Sequence, residues 1–264
     1  MRTLHKLSLL AIGLFLSFSL FAGDKTSFLK KQFTTNSGYK LNYRVLYPLD
    51  YDSSKQYPVI LFLHGAGERG TDNEAQLVHG GDMFASYLNQ QKYPAIIIAP
   101  QCPPAPDWWV TYTRPSEEGG KRVFPASNPI TKPLAAVKEL LDSYNAKGVV
   151  DTKRIYITGL SMGAIGTFDL VCRYPKVFAA ATPICGGANL QRLANFKGNT
   201  AFSIYHGEAD SVVDVEFSRD AYDTLKKAGA EVRYKEYPGV DHNSWDNAFA
   251  EPDFISWMFQ HCLK

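Results

Sequence analysis

The 264-residue chain has little of what would mark a disulfide scaffold, a metal site or a nucleic-acid binder. It carries only four cysteines, Cys102, Cys172, Cys185 and Cys262, without close or regular spacing. That excludes a disulfide-stapled framework, although four cysteines in an exported chain could still pair in three ways. Buried free thiols are the preferred reading. No Cys/His cluster has zinc spacing, so no metal is expected. Neither sign of charge dominates, with 28 basic against 26 acidic residues, so nothing calls for nucleic acid or an anionic surface. Internal repeats, low-complexity tracts and interdomain linkers are absent.

The first 22 residues stand apart. Arg2 and Lys6 form a positive start, Leu7 to Phe21 is uncharged and mostly apolar, and Ala22 supplies a small residue for cleavage. This pattern reads as a secretory signal peptide at 1–22. The apolar run is short for a membrane anchor, and no cysteine follows it for lipoprotein processing. The mature chain is then periplasmic or secreted, without stable membrane insertion. It has 26 basic and 26 acidic residues. Residues 23–264 suit a single α/β domain, and 45% apolar content supplies an ordinary core.

Strand and helix signals alternate along that domain. Residues 28–48 read as an antiparallel pair turning at Asn36-Ser-Gly38. Tyr57–Leu63 and Ala95–Ala99 are continuous apolar runs, as in strands buried on both faces of a parallel sheet. A helix interrupted near Gly80-Gly81 is expected over 73–91. Thr131 caps a helix reaching about Asn145, with Leu134, Val137, Leu140, Leu141 and Tyr144 on one stripe. Strand 154–158, helix 162–173, strand 177–184, strand 201–206, helix 214–228, strand 231–237 and helical segments from 244 follow. The helix at 214–228 has Asp214 as cap and Gly229 as stop. Such alternation predicts a mostly parallel sheet with helices on both faces. The proline-rich stretch 102–133, with Trp108, Trp109 and Tyr112, is too long for a plain connection. It leaves a strand's carboxyl end, where ligands sit in open α/β sheets, and is read as covering substrate.

Chemistry concentrates at Gly159-Leu-Ser-Met-Gly163, a Gly-x-Ser-x-Gly sequence at the end of a β-rich run. There a sharp strand-to-helix turn holds Ser161 exposed, and side chains at 159 or 163 would collide with neighbouring elements. Two later strands end in chemistry as well: Ser203 to Asp210 in an acid, Arg233 to His242 in a histidine. Upstream, Val59-Ile-Leu-Phe-Leu-His-Gly-Ala-Gly67 is a buried strand entering a glycine-rich turn.

With these segments placed, the chain resembles the α/β-hydrolase superfamily over nearly all of 23–264. The nearest likeness is to phospholipase/carboxylesterase and polyhydroxybutyrate-depolymerase-like esterases, including feruloyl and acetylxylan esterases. It is carried by Leu-His-Gly-Ala-Gly-Glu-Arg-Gly (63–70), Ala-Pro-Gln-Cys-Pro (99–103), Gly-Leu-Ser-Met-Gly-Ala-Ile-Gly (159–166), His-Gly-Glu-Ala-Asp (206–210) and Asp-His-Asn-Ser-Trp (241–245). The resemblance implies a serine esterase acting without cofactor on a small-molecule or polysaccharide-linked ester.

Ser161 is the candidate nucleophile, since a hydroxyl needs a partner base to become reactive. His242 is the candidate base, with His64, His79, His206 and His261 as rivals. Asp210 is the candidate orienting acid, with Glu208 and Asp214 nearby. The oxyanion hole falls to the amides of Met162 and Ala66, with Gly67 as alternative. Trp108, Trp109 and Trp245 are candidate substrate-binding residues, because aromatic faces stack on rings. Glu68-Arg69 is read as an ion pair bracing the oxyanion turn. Other readings are a broad carboxylesterase or lysophospholipase, a peptidase of the prolyl-oligopeptidase type and a binding protein on a hydrolase scaffold. The chain has no room for the peptidase's propeller, and the intact Ser-Asp-His set argues against the binding protein.

Overall fold

A computed structural model describes residues 23–113 and 123–264. The signal-peptide reading at 1–22 and the middle of the 102–133 stretch lie outside the described residues. Strands β1 (Leu29–Thr34) and β2 (Lys40–Leu46) form the antiparallel pair, with Gly38 turning at φ +82°. Then come β3 (Tyr57–Leu63), α1 (Gly81–Ala85), α2 (Tyr87–Lys92), β4 (Ile96–Pro100), α3 (Lys132–Ala146) and β5 (Val150–Leu160). The chain continues with α4 (Met162–Arg173), β6 (Ala180–Ile184), α5 (Leu190–Ala194), β7 (Ala201–Gly207), α6 (Glu216–Lys227), β8 (Val232–Tyr237), α7 (Trp245–Phe249) and α8 (Phe254–Phe259).

All eight strands form one sheet in the order β1-β2-β4-β3-β5-β6-β7-β8. β2 runs antiparallel to β4, and every neighbouring pair from β4 to β8 is parallel. The seven residues of β3 are all buried because each face of the sheet is covered. Val59, Leu61 and Leu63 join the core beneath α3, α4 and α6. Ile60 and Phe62 point the other way, toward the layer formed by α1, α7 and α8. Parallel strands share a carboxyl edge, so the turns after β3, β5, β6, β7 and β8 converge on one side of the molecule.

Helix α3 forms as its stripe predicts. Thr131 Oγ1 accepts the Leu134 N–H at 3.3 Å, and Leu134, Val137, Leu140, Leu141 and Tyr144 are all buried. The 73–91 region differs from expectation. Besides the break at Gly80, with φ +79°, the backbone returns to ψ 129° at Ser86 and separates α1 from α2. The side chains of Asn89 and Gln90 donate to the carbonyls of Met83 and Ala85 that this break releases. α6 begins at Glu216, two residues later than expected, while Asp214 Oδ1 still accepts the Glu216 N–H at 3.0 Å.

The cysteine reading needs one correction. All four are free, Cys102 and Cys185 are buried and Cys172 is partly so, but Cys262 is exposed beyond α8. Among the described residues no helix is long and apolar enough to cross a membrane.

Leu140 is 1% exposed inside the α3 stripe. Leu140→Ala should lower unfolding free energy by about 2–5 kcal/mol, through lost burial and the cavity left behind. Urea unfolding followed by circular dichroism measures it. A loss below about 1 kcal/mol would contradict this packing.

Candidate active site

β5 lies between β3 and β6 and ends at Leu160. Ser161 then adopts φ 52°, ψ −115°, and α4 starts at Met162. Such a conformation in a non-glycine residue costs about 1–3 kcal/mol and persists only where its surroundings over-determine it. Here Ser161 N–H donates to Ile184 O at 2.8 Å, and Ile165 N–H donates to Ser161 O at 3.2 Å. The glycines are required by close approach. A Cβ on Gly159 would lie 2.5 Å from the Gly163 backbone, and one on Gly163 would strike the Leu63 carbonyl.

The neighbouring strand ends bring two more side chains to this edge. His242 Nε2 is 2.9 Å from Ser161 Oγ, and His242 Nδ1 is 2.8 Å from Asp210 Oδ2. Asp210 Oδ1 accepts the amides of Val212 and Val213 at 2.9 and 2.8 Å. His206, buried on β7, approaches Asp210 Oδ2 with Nε2 at 3.1 Å and Ser218 Oγ with Nδ1 at 2.6 Å. Burial of Asp210 opposes its charge. The hydrogen bonds from His206, His242, Val213 and Val212 outweigh it and hold the carboxyl well below the usual carboxylate range. Asp210 therefore stays anionic and pairs with Nδ1 of His242, which leaves Nε2 turned to Ser161 Oγ.

The rival side chains have other partners. Glu208 accepts the Gly239 N–H, and Asp214 accepts the Glu216 N–H at the start of α6. His261 bonds Trp257 O and Glu231. His64 is buried, and that burial lowers its pKa to about 4. The ring is then neutral, and Nε2 accepts the Cys102 N–H at 2.9 Å, tying the turn after β3 to the loop after β4. Cys185, at φ 46° after β6, lies close behind Asp210 and His242. Burial and the Asp210 charge push its thiol above the ordinary range, so it stays protonated.

A cleft of about 400 Å³ opens over Ser161. Ala66 and Met162 both line it, and each opens a helical turn whose first N–H groups lack intrahelical acceptors. Trp108 and Trp245 also line the cleft. The Trp108 ring stacks beneath the Arg69 guanidinium at 4.1 Å, and Trp245 meets His242 edge-on at 5.3 Å. Trp109 does not reach the cleft. It is 0% exposed, donates Nε1–H to His64 O at 3.2 Å and packs over Gly166, because only one face of this aromatic pair can look outward. The expected Glu68–Arg69 pair is also corrected. Arg69 Nε donates to Ala66 O, whereas Glu68 Oε1 lies 3.6 Å from His79 Nε2.

Tyr112, expected at the carboxyl edge with the 102–133 stretch, does line the cleft. Val212 and Val213, which form its wall beside Asp210, carried no signal in the sequence. For the contact of His206 with the Asp210 carboxylate, the spacing His206-Gly-Glu-Ala-Asp210 was the available signal.

The strand order, the sharp serine turn and the convergence of strand ends define an α/β-hydrolase. The chain belongs to its phospholipase/carboxylesterase family, whose model matches residues 50–256, and so to the hydrolases of carboxylic esters. It is similar to an Oryza sativa subsp. japonica protein named "Probable carboxylesterase", 26% identical over 210 residues, covering 74% of this chain and 75% of that one. A solved thermostable esterase superposes with TM-score 0.78 at 36% identity, covering 90% of this chain and 64% of that one. An Aspergillus fumigatus protein named "Probable acetylxylan esterase A" is 31% identical over 114 residues, covering 42% of this chain and 27% of that one.

The depressed Asp210 carboxyl carries a pH signature. Its stabilisation is fully present above the unfolded-state value of about 4 and is lost as pH falls toward the lower folded value. The stability gap between wild type and Asp210→Asn should therefore narrow as pH drops from about 5 to 3. Urea titrations at each pH measure it, and a gap that widens on acidification would refute the assignment.

Proposed function

We propose that the protein is an exported serine esterase in which Ser161, His242 and Asp210 act as a catalytic triad. One observation carries the reading: His242 stands 2.9 Å from Ser161 Oγ on one side and 2.8 Å from Asp210 on the other, at the floor of an open cleft. Ser161 Oγ attacks the ester carbonyl while His242 Nε2 takes its proton. The negative charge passes to the carbonyl oxygen, which the Ala66 and Met162 amides hold; losing one such donor costs about 3–4 kcal/mol. His242 then gives its proton to the leaving alcohol oxygen, and an acyl-enzyme remains. Water then attacks the acyl carbonyl and gives a proton to His242, which passes it to Ser161 Oγ as the acyl–oxygen bond breaks and the acid is released.

The proposed substrate has a carbohydrate alcohol and a small or hydroxycinnamoyl acyl group. Trp108 and Tyr112 beside Ser161 support it, because they offer ring faces to a sugar or phenolic acid. The partial likeness to the acetylxylan esterase and the signal-peptide pattern at 1–22 are consistent with that setting.

Ser161→Ala and His242→Ala should each lower turnover of p-nitrophenyl acetate by about 10⁴–10⁶ with an unchanged circular dichroism spectrum. A Ser161→Ala protein with a tenth of wild-type activity would sink the triad. For the substrate, Trp108→Ala should lose more activity on methyl ferulate and acetylated xylan than on p-nitrophenyl acetate. Equal losses on all three would remove the carbohydrate-ester reading and leave the esterase.

A further inference from the structure

The chain approaching α3 is held by its backbone oxygens rather than by packing. From Pro125 to Thr131 no residue is buried, so apolar burial does little to fix it. Side chains take its carbonyls instead. Arg192 on α5 donates through Nε and Nη2 to Ala126 O at 3.0 and 2.5 Å, and through Nη2 to Asn128 O at 2.9 Å. Arg173, at the end of α4, donates to the same Asn128 O at 2.7 Å. One carboxylate serves both guanidinium groups. Asp169 Oδ1 pairs with Arg192 and Oδ2 with Arg173, each at 2.5 Å, and the Asp169 side chain is only 9% exposed. A shielded ion pair of this kind adds little net stability over apolar packing, but its fork geometry admits few arrangements.

The same set of contacts leads to the cleft. Asn128 Nδ2 donates to Thr111 O at 2.6 Å, and the Phe124 ring lies 6.0 Å from that of Tyr112. Tyr112 meets Trp108 edge-on at 5.8 Å, and both line the cleft over Ser161. At its other end the line is anchored in α4, which begins directly after the serine. Asp169 stands two turns along that helix, roughly 12 Å from its start, and has no place in the cleft lining. One helix therefore fixes the nucleophile at its first residue and, through Asp169, the aromatic wall beside it.

We propose that Asp169, with Arg173 and Arg192, is a positioning clamp that sets where the Trp108–Tyr112 wall stands relative to Ser161, and through it the preference for esters that carry a ring. The proposal rests on the esterase reading above, since it needs Ser161 as the attacking group. With the clamp in place the rings are already ordered when a ring-bearing substrate arrives, so binding does not have to order them. When it is released, the carbonyls of Ala126 and Asn128 lose their donors and the wall shifts, while the strand ends that carry Asp210 and His242 are untouched. An ester without a ring makes no use of the wall and is indifferent to the clamp.

The test compares vinyl acetate, which has no ring, with the better hydrolysed of phenyl acetate and methyl ferulate, which carry one on the alcohol and the acyl side. Arg192→Met leaves Asp169 paired with Arg173, whereas Asp169→Asn leaves two guanidinium groups without a carboxylate. Each variant should raise KM for the ring ester about tenfold and keep kcat and KM for vinyl acetate within about twofold of wild type. Should Asp169→Asn fail to fold, the milder Arg192→Met decides. With Trp108→Ala and Tyr112→Ala already present, Arg192→Met should change KM for the ring ester by no more than about twofold, since no wall is left to move. A KM for the ring ester that is unchanged in Arg192→Met, an equal change for both esters, or a rise that persists without the two rings overturns the clamp. If wild type hydrolyses vinyl acetate, Ser161→Ala does not, and neither ring ester is a substrate, the clamp falls and the esterase stands. If wild type hydrolyses none of the three, both readings fall.

Discussion

The site depends on one backbone conformation, the φ 52°, ψ −115° turn at Ser161. A serine in ordinary helical or extended geometry at this junction would turn its hydroxyl into the packed layers on either side of β5. The turn instead lifts Oγ to the carboxyl edge and places the Met162 amide directly behind it. Its cost of about 1–3 kcal/mol is offset by what surrounds it. β5 is hydrogen-bonded on both sides, α4 is buried along most of its length, and the Ile184 carbonyl takes the Ser161 amide. Gly159 and Gly163 let α4 descend onto β5 and the end of β3. The same descent brings Leu63-His64-Gly65 beside the serine, so the elbow also sets where the turn after β3 lies.

The charge arrangement follows from where the other strands stop. Asp210 is buried, which alone would favour its neutral form. Two backbone amides and two histidines reverse that preference. A carboxylate held this way has little freedom to rotate or protonate, and its fixed position sets the tautomer of His242. His206 does for Asp210 what Asp210 does for His242. It packs against Ser218 of α6 and limits the carboxylate to one orientation. Behind them Cys185 fills space as a protonated thiol, with no charge of its own to disturb the pair.

Much of this was legible in the sequence because the strongest signals are local. Gly159-Leu-Ser-Met-Gly163 specifies a turn that few other residues tolerate, and the continuous apolar run of β3 is explained only by burial on both faces. The Thr131 cap and the α3 stripe were equally direct. What stayed hidden depends on which way a side chain turns once the chain is packed. Trp108 and Trp109 are adjacent and chemically identical, yet one faces the cleft and the other fills the core over Gly166. Glu68 and Arg69 look like a pair in sequence, but the helical turn at Ala66–Glu68 sends one toward His79 and the other toward Trp108. The break at Ser86 has no glycine or proline to announce it, since its freed carbonyls are taken by side chains several residues on.

In the proposed triad, the hydrogen-bonded line from Asp210 through His242 to Ser161 makes that one hydroxyl far more nucleophilic than the others. Reaction with a fluorophosphonate, followed by mass spectrometry of the adduct, tests that directly. The predicted result is a single adduct on the peptide carrying Ser161, absent in Ser161→Ala and formed at least about 100-fold more slowly in His242→Ala. A wild-type protein that stays unlabelled, or one labelled at a different residue, would contradict it.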